Sequence, residues 1–289
     1  RVLIVASSLA AMGVDLARLS PSLECIIVID EPVDTATLAS PIPIVLHSRM
    51  NAGAAVEWGA FDETTPAGLC FTSGTTGDPK GVVYTHRSSY LHTLRLLQAD
   101  VIGPTAADRI LMVVPMFHAN GWGLPFAAPA VGASLLLPGK DLDGASIARF
   151  IQAEGATLAA AVPTVWLGLV DHLDEHGGDV PTLKRIIVGG AAMPEKLMER
   201  VERRTGAIIQ TSWGMTELTP LGAIAPASLP QRQAATAGRV AIGVDVLLTD
   251  GEGKPLAQQR ETEGRLHVRG QSVVNRYYGM EQPAVNADG

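Results

Sequence analysis

No stretch of this sequence is basic enough to face a nucleic acid. Its 289 residues carry 22 Lys and Arg against 29 Asp and Glu, a formal charge of −7, and no basic stripe breaks that balance; a phosphate backbone is not an expected partner. Cysteine is scarce too. Cys25 and Cys70 each sit in an apolar, strand-like run, which suits buried reduced thiols and a cytoplasmic protein rather than a disulfide framework. A membrane span is missing. Residues Ile110 to Gly139 carry no formal charge, yet Pro115, Pro125, Pro129 and Pro138, with His118 and Asn120, interrupt them, and a spanning helix needs about 20 mostly apolar residues. The pattern fits a buried core with a polar elbow. Ser7-Ser8 and Ser88-Ser89 lack a G-x-S-x-G elbow, so serine-hydrolase chemistry has no support. There is no internal repeat and no low-complexity tract. The chain opens on the strand-like Arg1-Val2-Leu3-Ile4-Val5 without a signal pattern and stops in the loop Asn286-Ala287-Asp288-Gly289; it reads as an internal segment cut at both ends.

With 47% hydrophobic residues, the chain has ample material for a sizeable core. Strand and helix signals alternate. Val2–Ala6, Met12–Leu19 and Cys25–Asp30 give a βαβ-like opening, followed by an irregular, proline-punctuated stretch from about Asp34 to Thr65. Gly68–Thr72 and Gly81–Tyr84 read as strands and His86–Ala99 as a helix, with Tyr90, Leu91, Leu94 and Leu97 on one face. Asp143 is placed to cap a helix through Glu154, ended by Gly155. Strand Thr157–Val162, a helix from Pro163 to Gly177-Gly178, strand Arg185–Val188, helix Pro194–Thr205 and strand Ala207–Ser212 follow. This alternation predicts an α/β fold in which helices cover a parallel sheet on both faces. After Gly238 the style changes. Val244–Leu248 and Arg265–Val268 flank the turn signal Asp250–Pro255, predicting an antiparallel β lobe near the C-terminus. The expected organisation is therefore an α/β part over residues 1–237 and a lobe of the same domain over 238–289.

The strongest local signal is Thr72-Ser73-Gly74-Thr75-Thr76-Gly77-Asp78-Pro79-Lys80-Gly81. Its three glycines let the backbone approach a ligand, four hydroxyls offer donors and Lys80 adds a positive charge. The spacing is not that of a G-x-x-x-x-G-K-[ST] loop, and the segment joins two strands rather than opening a helix. Read alone, such a cluster is equally an ordinary turn. His172-Leu173-Asp174-Glu175-His176 matches the H-x-x-E-H pattern of some zinc peptidases, but it lies in the last turn of a helix, where histidines suit the dipole, and no third ligand is visible in the sequence.

Thr72–Gly81 resembles the phosphate-loop signature of the adenylate-forming superfamily: acyl-CoA synthetases, luciferases and peptide-synthetase adenylation domains. Trp213-Gly214-Met215-Thr216-Glu217 resembles that family's aromatic-Gly-x-Thr-Glu motif, with tryptophan where tyrosine is commoner. The resemblance implies that Thr72, Ser73, Gly74, Thr75, Thr76, Gly77 and Lys80 contact ATP phosphates. It implies that Trp213, Gly214 and Met215 flank the adenine side, that Thr216 meets the α-phosphate, and that Glu217 holds Mg²⁺ with Thr72 beside it. Gly189-Gly190-Ala191 is similar to the turn lining the family's adenine pocket. Phe117–Gly123 corresponds to the acyl side, with His118 near the reacting carboxylate, Trp122 similar to the aromatic gate of fatty acyl-CoA synthetases, and Gly214 bordering the acyl group. No residue in Phe117–Gly123 is acidic, which favours a plain carboxylic acid over an amino acid.

The implied activity is that of an AMP-forming acid–thiol ligase: a medium- to long-chain fatty acid is joined to AMP from ATP, then transferred to coenzyme A. Lys80, His118, Thr216 and Glu217 are the expected catalytic residues. A ligase for a short thioether acid such as methylmercaptopropionate, or for an aryl acid, is the nearest alternative; a non-catalytic nucleotide- or acyl-binding module is the alternative from another class. Oligomeric state is not readable from these residues, though a homodimer is common in the fatty-acid branch. The family's Y-x-T-G-D ribose segment, its hinge and its small C-terminal domain with a catalytic lysine have no counterpart in these residues. The 289 residues alone are therefore expected to bind nucleotide weakly and to adenylate poorly, and robust turnover by them in an adenylation assay would refute this.

Overall fold

A computed structural model describes residues 1–289 except 31, 32, 51, 52, 54, 56, 58, 73–77, 231 and 287–289. Two compact units divide it, Arg1–Ala60 and Phe61–Gly289. In the first, β1 (Val2–Val5), α1 (Ala10–Leu19), β2 (Cys25–Val28) and β3 (Ile44–Leu46) follow one another, and the strands form a parallel sheet in the order β1-β2-β3. Ala10, Val14 and Ala17 of α1 are buried with Ile26, Val28 and Leu46. β3 corrects the expectation of an irregular stretch. It spans three residues behind Pro41 and Pro43, too few for the alternation of period two to stand out. Cys25 is only half-buried, because β2 buries Ile26 and Val28 on the opposite face.

The second unit opens with a hairpin, β4 (Pro66–Thr72) paired antiparallel with β5 (Lys80–Thr85). Thus the Lys80-bearing loop joins two strands, as expected. There follow α2 (His86–Leu96), β6 (Arg109–Met112), α3 (Leu124–Val131), β7 (Ser134–Leu136), α4 (Gly144–Glu154), β8 (Leu158–Ala161), α5 (Pro163–His176), β9 (Arg185–Val188), α6 (Glu195–Thr205), β10 (Ile208–Gly214), β11 (Leu221–Ile224), β12 (Arg239–Val240), β13 (Asp245–Thr249) and β14 (Arg265–Arg269). Seven strands form one sheet in the order β12-β11-β10-β9-β8-β6-β7, parallel from β10 to β7 and antiparallel at β11 and β12. The residues impose this arrangement through alternating burial. Leu111, Ala159, Ala161, Ile186 and Val188 pack with Ile147, Ile151, Trp166, Leu169 and Val201 of α4, α5 and α6. Ile110, Met112, Leu158, Ala160 and Ile187 pack with Leu96, Leu124 and Ala127 of α2 and α3. Both faces are covered, so only the sheet's ends remain open to a ligand.

The caps fall where the residues predict them. Asp143 accepts the Ser146 amide at 2.9 Å, Gly155 takes the left-handed conformation that ends α4, and Pro163 opens α5. β13 and β14 form the antiparallel pair expected around Asp250, whose side chain accepts the amides of Glu252 and Lys254 at 2.9 Å each. No helix of the described residues is long and apolar enough to cross a membrane; the charge-free stretch is divided among β6, α3 and β7.

The apolar face of α2 is not its buried face. Tyr90 and Leu94 are exposed, whereas Ser88, His92, Arg95 and Leu96 are buried. Polar side chains face inward because they satisfy backbone groups that other segments bring there. Arg95 donates to the carbonyls of Leu221 (2.8 Å) and Ile242 (2.9 Å) and to Ser272 Oγ (2.9 Å), fastening α2 to β11 and to the segments around the antiparallel pair. Removing a buried donor strands its acceptors at about 1–3 kcal/mol each. Arg95→Met is therefore expected to lose about 3 kcal/mol in urea unfolding, whereas Arg200→Met, which breaks ion pairs to Asp171 and Asp174 at a more exposed place, is expected to lose far less. Equal losses would overturn the assignment of Arg95.

Candidate active site

The order of the sheet has a switch point. After β6 the chain adds β7 on one side and then returns to add β8 on the other, and α/β sheets place ligands outside the carboxyl ends of strands at such a crevice. The segments after β6, β9 and β10 all emerge at that edge. They carry His118 and Trp122, Gly189 and Gly190, and Met215 to Glu217 respectively.

These segments surround one cavity of about 550 Å³, also lined by Thr72 and Lys80 at the mouth of the β4–β5 hairpin and by Trp213 and Gly214 at the end of β10. The volume suits a small-molecule site. Ala191 lies apart from it, on a neighbouring cavity of about 450 Å³ shared with Gly190, Ser212, Trp213 and Gly214. Ser73, Gly74, Thr75, Thr76 and Gly77 lie outside the described residues.

The turn after β6 has unusual backbone. Ala119 (φ 41°), Asn120 (φ 48°), Gly121 (φ 58°), Trp122 (φ 55°) and Gly123 (φ 77°) run consecutively in the left-handed region. For each non-glycine residue this costs roughly 1–2 kcal/mol, and the surroundings offset it. Asn120 Oδ1 accepts the buried Cys70 thiol at 3.0 Å. A Cβ on Gly123 would come within 2.5 Å of the His92 ring, and one on Gly121 within 2.8 Å of Met112 Sδ, so the turn is packed tightly against α2 and β6. It leaves His118 exposed and Trp122 half-buried on the cavity wall. The Trp122 indole lies against Gly189, where a Cβ would sit 3.0 Å from the ring and 2.8 Å from Ser212 Oγ. Gly214 is required by close approach as well: a Cβ there would lie 2.4 Å from the Pro220 carbonyl oxygen, at the register shift between β10 and β11.

Glu217 and Thr216 sit on a short turn held from three sides. Tyr84 Oη donates to the Thr216 carbonyl at 2.7 Å, the Val274 amide donates to the Glu217 carbonyl at 2.9 Å, and Tyr277 Oη donates to Glu217 Oε1 at 2.7 Å. Burial, and then the nearby Cys70 thiol and Glu217 carboxylate, push the Tyr84 phenol well above the usual tyrosine range. Burial and the hydrogen-bonded Glu217 push Tyr277 up to about 12. Both phenols thus remain donors at neutral pH. Burial also raises the Cys70 thiol. The Lys80 ammonium lies 5.4 Å from the centre of the Tyr277 ring, within cation–π range.

Tyr277 was not anticipated from sequence, although a signal existed: two of only four tyrosines stand side by side at Tyr277-Tyr278. His172 and His176, by contrast, stack on each other at 4.7 Å in the last turn of α5. Among the described residues no group of three or more His, Cys, Asp or Glu could hold a metal ion.

A family model described as AMP-binding enzyme matches residues 1–278. The chain is 39% identical over 242 residues to a 3-methylmercaptopropionyl-CoA ligase of Ruegeria lacuscaerulensis, covering 81% of this chain and 45% of the relative. It is 39% identical over 245 residues to a medium-chain-fatty-acid–CoA ligase of Ectopseudomonas oleovorans, covering 80% and 44%. The chain therefore spans less than half the length of these curated relatives. A crystal structure of a long-chain-fatty-acid-CoA ligase from Archaeoglobus fulgidus superposes with a TM-score of 0.79 at 22% identity, over 97% of this chain and 52% of that one, which establishes a shared fold.

His92 gives a pH signature. Its Nε2 accepts the Leu221 amide at 3.3 Å, which requires the neutral ring. Burial, then the Arg95 charge, lower its pKa to about 3, whereas an unfolded histidine ionises near 6.5. Below about pH 6.5 the unfolded chain binds a proton that the folded one refuses, so His92 lowers stability progressively as pH falls toward 3 and has no effect above 6.5. His92→Gln, which keeps an acceptor, is expected to flatten the stability curve between pH 6 and 4 by up to about 1.4 kcal/mol per pH unit; identical slopes in urea titrations would refute this.

Proposed function

Because the chain belongs to the AMP-binding enzyme family, we propose that it carries the nucleotide- and acyl-gripping part of an acid–thiol ligase acting on medium- to long-chain fatty acids. One observation carries the reading: Lys80, Glu217 and the His118–Trp122 turn, far apart in sequence, border a single cavity at the carboxyl edge of one sheet. In the first step a carboxylate oxygen attacks the α-phosphorus of ATP, the bond to the bridging oxygen breaks, and pyrophosphate leaves. In the second, the coenzyme A thiol attacks the acyl carbonyl, the acyl–oxygen bond to AMP breaks, and the thiol proton passes to solvent. Phosphoryl chemistry of this kind rests on positioning and charge neutralisation.

Lys80 and the hydroxyl-rich loop Thr72–Gly77 neutralise and hold the phosphates. Thr216 orients the α-phosphate, and Trp213, Gly214 and Met215 border the adenine with the Gly189–Ala191 turn. His118 meets the carboxylate and Trp122 bounds the acyl chain. The donor set fits Mg²⁺: a lone carboxylate, Glu217, with Thr72 on the same cavity, suits a hard ion that keeps waters and phosphates as its other ligands. Bound there, the metal supplies charge neutralisation of the phosphates. The antiparallel lobe from residue 238 onward belongs in this reading to the same domain as residues 1–237. Homodimeric, cytoplasmic assembly is part of the same proposal.

A second substrate class has specific support. The relative at 39% identity named for 3-methylmercaptopropionate makes a short thioether acid the principal rival, with aryl acids behind it. Exchange of labelled pyrophosphate into ATP by the whole parent protein, with fatty acids of graded length, methylmercaptopropionate and aryl acids, separates them. Fatty acids of medium and long chain are expected to support exchange best, and Glu217→Gln is expected to lower the rate about 100-fold or more. Exchange with no acid would leave a non-catalytic nucleotide-binding module as the reading.

A further inference from the structure

The two charged groups of the site belong to segments 137 residues apart (217 − 80), and one side chain touches both. Tyr277 donates its hydroxyl to Glu217 Oε1 at 2.7 Å while its ring faces the Lys80 ammonium at 5.4 Å. The backbone around it is fastened to the same two segments. The Val274 amide bonds the Glu217 carbonyl at 2.9 Å, the Tyr278 amide bonds the Gly81 carbonyl at 2.7 Å, and Tyr277 bridges to Val82. Cys70, Val82, Tyr84, Val274 and Tyr277 pack together beneath this crossing. The segment Val274–Tyr278 is thus stitched between β5 and the turn after β10, and Tyr277 is its side chain on the cavity.

We infer that Tyr277 is a positioning residue for the proposed reaction, setting the separation and orientation of Lys80 and Glu217 so that one polyphosphate and its metal are held between them. The inference rests on the functional reading above and deepens it. A carboxylate has two oxygens; engaging Oε1 with a neutral phenol restrains the rotamer, and the other oxygen, its charge not cancelled, would be left to hold a metal. The ring face beneath Lys80 attracts the ammonium through its quadrupole and offers no anion to compete with phosphate. A carboxylate in place of Tyr277 would compete for both the lysine and the metal.

The test is calorimetric binding of ATP to the whole parent protein, with Mg²⁺ and separately with EDTA. Tyr277→Phe keeps the ring and removes the donor. It is expected to weaken ATP binding about five- to tenfold with Mg²⁺, to leave binding in EDTA unchanged, and to have no further effect in a Glu217→Gln background. Tyr277→Leu removes the ring too and is expected to weaken binding in EDTA as well. A purely structural role would lower both affinities together in Tyr277→Phe. That outcome, or an unaltered loss in the Glu217→Gln background, overturns the inference while leaving the functional reading intact. Failure of the unmodified protein to bind ATP overturns the reading, and the inference with it.

Discussion

Burial on both faces of a parallel sheet is the constraint from which the rest of this structure follows. Odd and even residues of β6, β8 and β9 serve two separate cores, so no strand interior is free for chemistry. Only the ends are, and the chain reverses its order of strand addition between β7 and β8. A crevice at the carboxyl edge results. Glycines at 189 and 214 then let backbone and rings approach where a Cβ would collide.

The sheet, and the turns that line the cavity at its edge, were legible in the sequence for a physical reason. The βα units from Asp143 to Gly214 announce themselves through caps, terminating glycines and helical spacing, all local signals, and the structure follows them within a residue or two. The antiparallel pair around Asp250 was equally local. What the sequence hid was set by partners distant along the chain. The inward face of α2 is polar because Arg95 and His92 satisfy carbonyl and amide groups of residues 221, 242 and 243, and no periodicity in α2 itself encodes that. β3 was too short to show a period. Tyr277 stood in a stretch with little secondary-structure signal, and its two charged neighbours are far away in sequence.

Conformational strain and the candidate acyl site coincide. The left-handed turn at Ala119–Gly123 holds Trp122 in a backbone conformation that a large side chain rarely adopts. It persists because Asn120, His92 and Met112 surround it. Strain supported from outside in this way is characteristic of positions where a side chain must be presented rather than packed. The same supports connect that wall to the floor of the hairpin, since the group that bonds Asn120 is the Cys70 thiol of β4.

The grip of Arg95 has a consequence for how the second unit comes apart. Its guanidinium reaches β11, the loop at 242–243 and Ser272 at once. Peeling the C-terminal strands away would leave a cation stranded in a dry interior, with its hydration not yet restored. Partial opening of that region is therefore penalised, so the strands and the large sheet should melt as one cooperative block.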